Sequence, residues 1–138
     1  MSLMLLSMIA LAAPTEAATV EVDISGVRNA RGEVHLCATR EPKHFPDCRH
    51  DPNAYRLSVK ASTTRMRLAG IVPGSYALSL IHDENSNTKL DTLMGMPREG
   101  FGFSRNPVIR FGPPTFAKVK IDIGLGITRT SVRMQYLL

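Results

Sequence analysis

The densest collection of metal-ligating and proton-handling side chains is the run His82-Asp83-Glu84-Asn85-Ser86-Asn87-Thr88-Lys89-Leu90-Asp91. Side-chain oxygens at Asp83, Asn85, Asn87 and Asp91 occupy the first, third, fifth and ninth places of a loop, the spacing with which a chain curls hard oxygen ligands around Ca²⁺. Lys89, in the seventh place, would add its backbone carbonyl. Thr88 stands where the sharp-turn glycine belongs and Met94 where the bidentate Glu belongs, so Glu99 is the candidate for the remaining carboxylate. Two neutral amides keep the anionic charge low, and calcium affinity is expected to be weak, about 10⁻⁴ to 10⁻³ M. The same residues also suit Asx turns that cap their own backbone. A metal-assisted hydrolase using His82, Asp83, Asp91 and Glu99 as ligands and base is the catalytic alternative. The sequence has no H-E-x-x-H run and no serine elbow, which favours a noncatalytic binding or structural module.

The chain continues through Arg98-Glu99-Gly100-Phe101-Gly102-Phe103-Ser104-Arg105-Asn106. Phe101 and Phe103 point the same way, either to plug the end of a core or to form a stacking platform. With His82, Arg98, Ser104 and Asn106 they are the ligand-binding candidates. Residues 82–107 are too many for a plain hairpin, and loops of this length usually carry function.

Cys37 and Cys48 are the only cysteines. In an oxidising compartment they pair, and the disulfide fastens a proline-bearing loop, adding roughly 3 kcal/mol by loop entropy. A zinc site from Cys37, His44, Cys48 and His50 is the alternative, although no C-x2-C pair is present.

The elements that must position these residues are strands. Val20, Val22 and Ile24 alternate with Thr19, Glu21 and Asp23, and Val34 with Leu36 continue the pattern beyond a turn, so an opening hairpin is expected. Tyr55, Leu57 and Val59 mark a third strand, Met66 and Leu68 a fourth, and Tyr76, Leu78 and Leu80 a central fifth. The fifth should follow a type II turn with positive φ at Gly74. Two more strands are expected, one from Ala117 to Ile123 and one from Thr128 to Tyr136. The pattern predicts an all-β, seven-stranded, two-sheet antiparallel sandwich forming one domain over residues 18–138.

Ahead of it, residues 3–13 are an uncharged apolar run followed by small residues, read as a signal peptide over residues 1–17 with cleavage after Ala17, and Ala12 as the alternative. No Lys or Arg precedes the run, and a buried N-terminal helix is the other reading. The run is about half the roughly 20 residues that a membrane span needs, so no transmembrane anchor is expected after cleavage. A periplasmic or secreted location follows. With 17 Lys and Arg against 12 Asp and Glu, the formal net charge is +5. The bases are scattered, which suits an envelope glycan, lipid or protein as partner rather than nucleic acid.

Three blocks in order, the run 82–91, then Gly95-Met96-Pro97-Arg98-Glu99-Gly100-Phe101-Gly102-Phe103-Ser104, then Phe111-Gly112-Pro113-Pro114-Thr115-Phe116, resemble the exported bacterial proteins grouped as domain of unknown function 2141. Pro73-Gly74-Ser75-Tyr76 also resembles a turn of that family and of prealbumin-like sandwiches. The resemblance implies a prealbumin-like or immunoglobulin-like β-sandwich and export, and it brings no established activity. The chain departs from the pattern at Ser86 and Thr88, where glycine is common.

The disulfide reading has a direct check. Thiol titration of denatured, unreduced protein is expected to find no free thiol; two reactive thiols per chain would contradict it.

Overall fold

Alternation at period two decides which side of each strand is buried, and here it assembles two sheets around one core. The computed structural model describes residues 8–10, 17–86, 92–93, 96–97 and 99–138. Its elements are β1 (Ala18–Ser25), β2 (Glu33–Thr39), a short 3₁₀ turn (Pro42–His44), β3 (Tyr55–Lys60), β4 (Arg65–Ile71), β5 (Gly74–Asp83), β6 (Thr92–Leu93), β7 (Met96–Pro97), β8 (Gly100–Phe103), a helical turn α1 (Phe116–Val119), β9 (Ile121–Ile123) and β10 (Gly126–Arg133).

The smaller sheet has the order β10-β1-β4 and the larger β3-β2-β5-β8, with β9 also on β5 and β6 pairing β7 apart from both. Ala18, Val20, Val22 and Ile24 of β1 meet Leu36, Leu78 and Leu80 of the larger sheet in the main core. Two outward residues of β1, Glu21 and Asp23, are charged and answered across the sheet. Glu21 lies 3.1 Å from Arg129 Nε and 3.6 Å from Arg67, and Asp23 lies 2.7 Å from Arg65.

The two-sheet, all-β architecture agrees with the sequence reading, and several details correct it. More strands are described than seven, because the long segment after β5 contributes β6, β7 and β8. The sandwich is not wholly antiparallel, since β1 and β10, the first and last strands, run parallel from Ala18↔Gly126 to Ser25↔Arg133. No hairpin joins β1 to β2; they lie in different sheets, and residues 26–32 cross between them with positive φ at Gly26 and Gly32. Residues 117–119 belong to the helical turn α1, and only Ile121–Ile123 form the expected strand there. Gly74 is not among the positive-φ glycines. It starts β5 opposite Ile123, and the left-handed residue near this turn is Gly70, φ 71°.

β5 is the backbone of the larger sheet, and one edge of it is shared. β8 pairs with Ser79 to His82 and β9 with Gly74 to Tyr76, leaving Ala77 and Leu78 between them. Ser104 closes the gap. Its Oγ accepts from Leu78 N–H, its own N–H donates to the Leu78 carbonyl, and its hydroxyl donates to the Val119 carbonyl. A buried peptide group that the ladder would leave unbonded is thereby satisfied.

Gly32, rather than Gly74, is the glycine whose missing side chain this backbone needs. A Cβ on Gly32 would overlap the Asp83 carbonyl oxygen and meet Glu84 backbone atoms at 2.8 Å, at φ 71°. A Cβ on Gly74 would press only on the flexible Arg40 side chain, Cδ at 3.1 Å, with the Tyr76 ring at an ordinary 3.7 Å. Chemical denaturation should show Gly32→Ala losing about 3 kcal/mol or more and Gly74→Val within about 1 kcal/mol of wild type.

Candidate functional site

His82, near the end of β5, faces the core, with no exposed surface. Its Nε2 lies 2.7 Å from the Arg31 carbonyl oxygen, an acceptor only, so Nε2 carries the proton and donates. Nδ1 then accepts from the Tyr136 hydroxyl at 2.7 Å, and that oxygen accepts from Arg28 N–H at 3.1 Å. Desolvation holds the Tyr136 phenol above its ordinary 10.0, which preserves the donor that His82 needs. Gly100 makes room for the Tyr136 ring, since a Cβ there would run into it. The Arg28 guanidinium stacks 4.5 Å from the same ring and bonds Glu84 Oε1 at 2.5 Å. Both ring nitrogens of His82 are thus occupied by protein groups.

Asp83 points to the other face of the sheet and joins a cluster that sequence reasoning did not find. His35 on β2 and Ser58 on β3 are cross-strand neighbours. His35 Nδ1 lies 2.7 Å from Ser58 Oγ and its Nε2 lies 2.9 Å from Asp83 Oδ2. Glu33 Oε2 is 3.9 Å from the same Nε2. Asp83 is 1% exposed. A carboxylate only accepts, so His35 donates from Nε2 to Asp83; in the neutral ring Nδ1 would then accept from the serine, the order of orienter, base and hydroxyl used in nucleophilic catalysis. Ser58, however, is an exposed residue in mid-strand, away from any sharp turn. The available signal was period-two placement: Ser58 and His35 occupy outward positions of neighbouring strands.

The other expected site residues divide clearly. Phe101 and Phe103 are buried on the outer face of the larger sheet, in a second core with Ala77 and Val119, against Phe45, Ile109 and Phe116. Phe45 meets the Phe103 ring edge-on at 5.6 Å. They plug rather than present a platform. Ser104 is buried in the ladder gap described above. Asn106, φ 47°, fastens its segment to β10, with Nδ2 donating to the Ser131 carbonyl at 3.0 Å and Oδ1 accepting from Arg133 N–H at 2.8 Å. Glu99 is buried beside β8, and Asn85 is exposed just beyond β5. Ser86 holds φ 54°, the left-handed conformation for which glycine is favoured. Asn87, Lys89, Asp91 and Arg98 lie outside the described residues. Among the described residues no group of three or more His, Cys, Asp or Glu side chains is placed to hold a metal ion.

Cys37 and Cys48 are disulfide-bonded with Cα atoms 6.1 Å apart, which removes the thiolates that a zinc site with His44 and His50 would need. The loop between them folds back on the larger sheet, where Ser79 Oγ donates to the Pro46 carbonyl at 2.6 Å. Arg56 donates to the Cys48 carbonyl, and Thr39 Oγ1 donates to Asp51 Oδ2 at 2.5 Å.

Hydrogen bonds hold two carboxyls below their ordinary values: Glu84 through Arg28, from 4.5, and Asp51 through Thr39, from 3.8. A depressed folded value means that the stability these groups contribute is complete above the ordinary value and is lost as pH falls through the folded one. Melting temperature should therefore decline as pH drops below 4.5, and Glu84→Gln should flatten that decline. Tyr136→Phe removes the donor to a buried imidazole and should cost about 1–3 kcal/mol in urea denaturation; no loss would contradict the His82 geometry.

Among the described residues no helix is long and apolar enough to cross a membrane. Comparison with curated proteins and with solved structures finds no match. A family model described as "Uncharacterized protein conserved in bacteria (DUF2141)" matches residues 22–131, most of the 138-residue chain. The disulfide-fastened sandwich with its glycine-bearing β8 therefore belongs to the DUF2141 family of uncharacterised proteins conserved in bacteria.

Proposed function

We propose that this chain is a noncatalytic module of the bacterial envelope, periplasmic or secreted, whose long segment after β5 serves as a structural cap and whose outer surface does the binding. The observation that carries the reading is the commitment of His82: fully buried, with Arg31 and Tyr136 on its two ring nitrogens, it has no nitrogen to offer a metal or a substrate. Phe101, Phe103, Ser104 and Asn106 are likewise engaged in packing or hydrogen bonding. The Cys37–Cys48 bond and the apolar N-terminal run support export. A fusion of residues 1–138 to a phosphatase that folds only outside the cytoplasm is expected to be active, and an inactive fusion with full-length protein in the cytosol would contradict export.

A second reading rests on the Ser58–His35–Asp83 relay, which favours acyl transfer at Ser58. Its exposed mid-strand serine makes it the weaker one. A fluorophosphonate probe is expected to leave Ser58 unlabelled; labelling that His35→Ala abolishes would overturn the noncatalytic reading.

For the cation, the alternate oxygens from Asp83 to Asp91 support weak calcium binding, about 10⁻⁴ to 10⁻³ M. Because Asp83 already holds His35, its replacement would destabilise the sheet with or without metal, and Asp91→Asn is the cleaner variant. Calcium at ten times Kd should add about 1.4 kcal/mol to stability, with less from Mg²⁺ and none in Asp91→Asn. Identical melting in calcium and in chelator would leave the loop as a cap alone.

A further inference from the structure

Between Glu99 and Asp122 the sequence contains four basic residues, Arg105, Arg110, Lys118 and Lys120, and no acidic one. All four are exposed. The same segment displays Val108 at 81% and Phe111 at 96% exposure, the latter nearly as open as a free side chain. The display is built rather than frayed. Asn106 ties the segment to β10, Ile109 and Phe116 pack into the second core, and the two apolar side chains between these anchors project into water.

We infer that residues 105–120 form a docking surface for an anionic phospholipid bilayer. The chemistry is paired: Phe111 and Val108 enter the boundary between headgroups and acyl chains, while the flanking guanidinium and ammonium groups meet lipid phosphates. With no carboxylate in the segment, nothing within it opposes a negative surface. A protein partner would require a contact of about 800 Å² per side, whereas a bilayer needs only this apolar tip and its charges. The inference rests on the envelope reading and names the partner of that module.

The chain lacks tryptophan, so Phe111→Trp supplies a single reporter. On vesicles of phosphatidylglycerol and phosphatidylethanolamine its emission should shift to the blue, with little change on phosphatidylcholine vesicles and reversal by salt. In co-sedimentation with the same vesicles, Phe111→Ser and the double variant R105E/R110E should each bind about tenfold more weakly than the unaltered chain. The melting temperature of Phe111→Ser should be unchanged, because the side chain is 96% exposed, and that of R105E/R110E should fall only slightly, since Arg105 gives up one long hydrogen bond, 3.4 Å, to the Ala117 carbonyl. Unshifted emission, equal binding to both vesicle types, or a dimer that Phe111→Ser dissociates would overturn the proposal, the last in favour of a second copy as occupant. An exported phosphatase fusion without vesicle binding overturns lipid docking alone; an inactive fusion overturns the envelope reading itself.

Discussion

The imidazole of His82 is enclosed by protein, and a buried ring with two polar nitrogens is tolerated only if both are hydrogen-bonded. Much of one end of the sandwich follows from that requirement. Arg31 must bring its carbonyl to Nε2, which fixes the crossing between the sheets, and Gly32 must then lie against the Asp83 backbone too closely for any side chain. Tyr136 must bring its hydroxyl to Nδ1, which draws the C-terminal tail over β8 and requires glycine at position 100. The tail is held there by paired hydrogen bonds between Phe101 and Gln135. The larger sheet, the first crossing and the chain end therefore meet at one side chain.

Individual strands were legible in the sequence because period two is written into each of them, as in Val20, Val22 and Ile24 of β1. The sheet to which a strand belongs is not written there. A crossing of residues 26–32 and a hairpin turn present the same Gly and Asn signals, and only the partner strands distinguish them. Pro73-Gly74 misled for a related reason: the dipeptide permits a type II turn, but pairing of Gly74 with Ile123 holds the glycine extended. The disulfide was legible from an even cysteine count together with the expectation of export.

The chemistry was harder to read, because one residue type serves two ends. His82 and Ser104 sit in a conspicuous motif and have their side-chain polar atoms hydrogen-bonded within the protein, whereas His35, unremarkable among outward polar residues, meets the carboxylate of Asp83 on the opposite face and bonds Ser58 through its other nitrogen. Alternation along β5 separates the neighbours: His82 turns inward to the tail while Asp83 turns outward to His35. Gly100 and Gly102 do the same on β8, placing Phe101 and Phe103 outward under the disulfide loop and leaving the inward side bare for Tyr136 and Val132. That second core supports the basic, acid-free segment carrying Phe111, so the features of the motif and of the surface are mechanically connected.

The central claim is that His82 is a structural bridge fixed in one tautomer. Long-range ¹H–¹⁵N correlation of the imidazoles at neutral pH measures it directly. A proton on Nε2 of His82, with Nδ1 shifted by an accepted hydrogen bond that disappears in Tyr136→Phe, is the predicted result. A neutral ring with its proton on Nδ1, or a ring averaging between tautomers, would contradict the account.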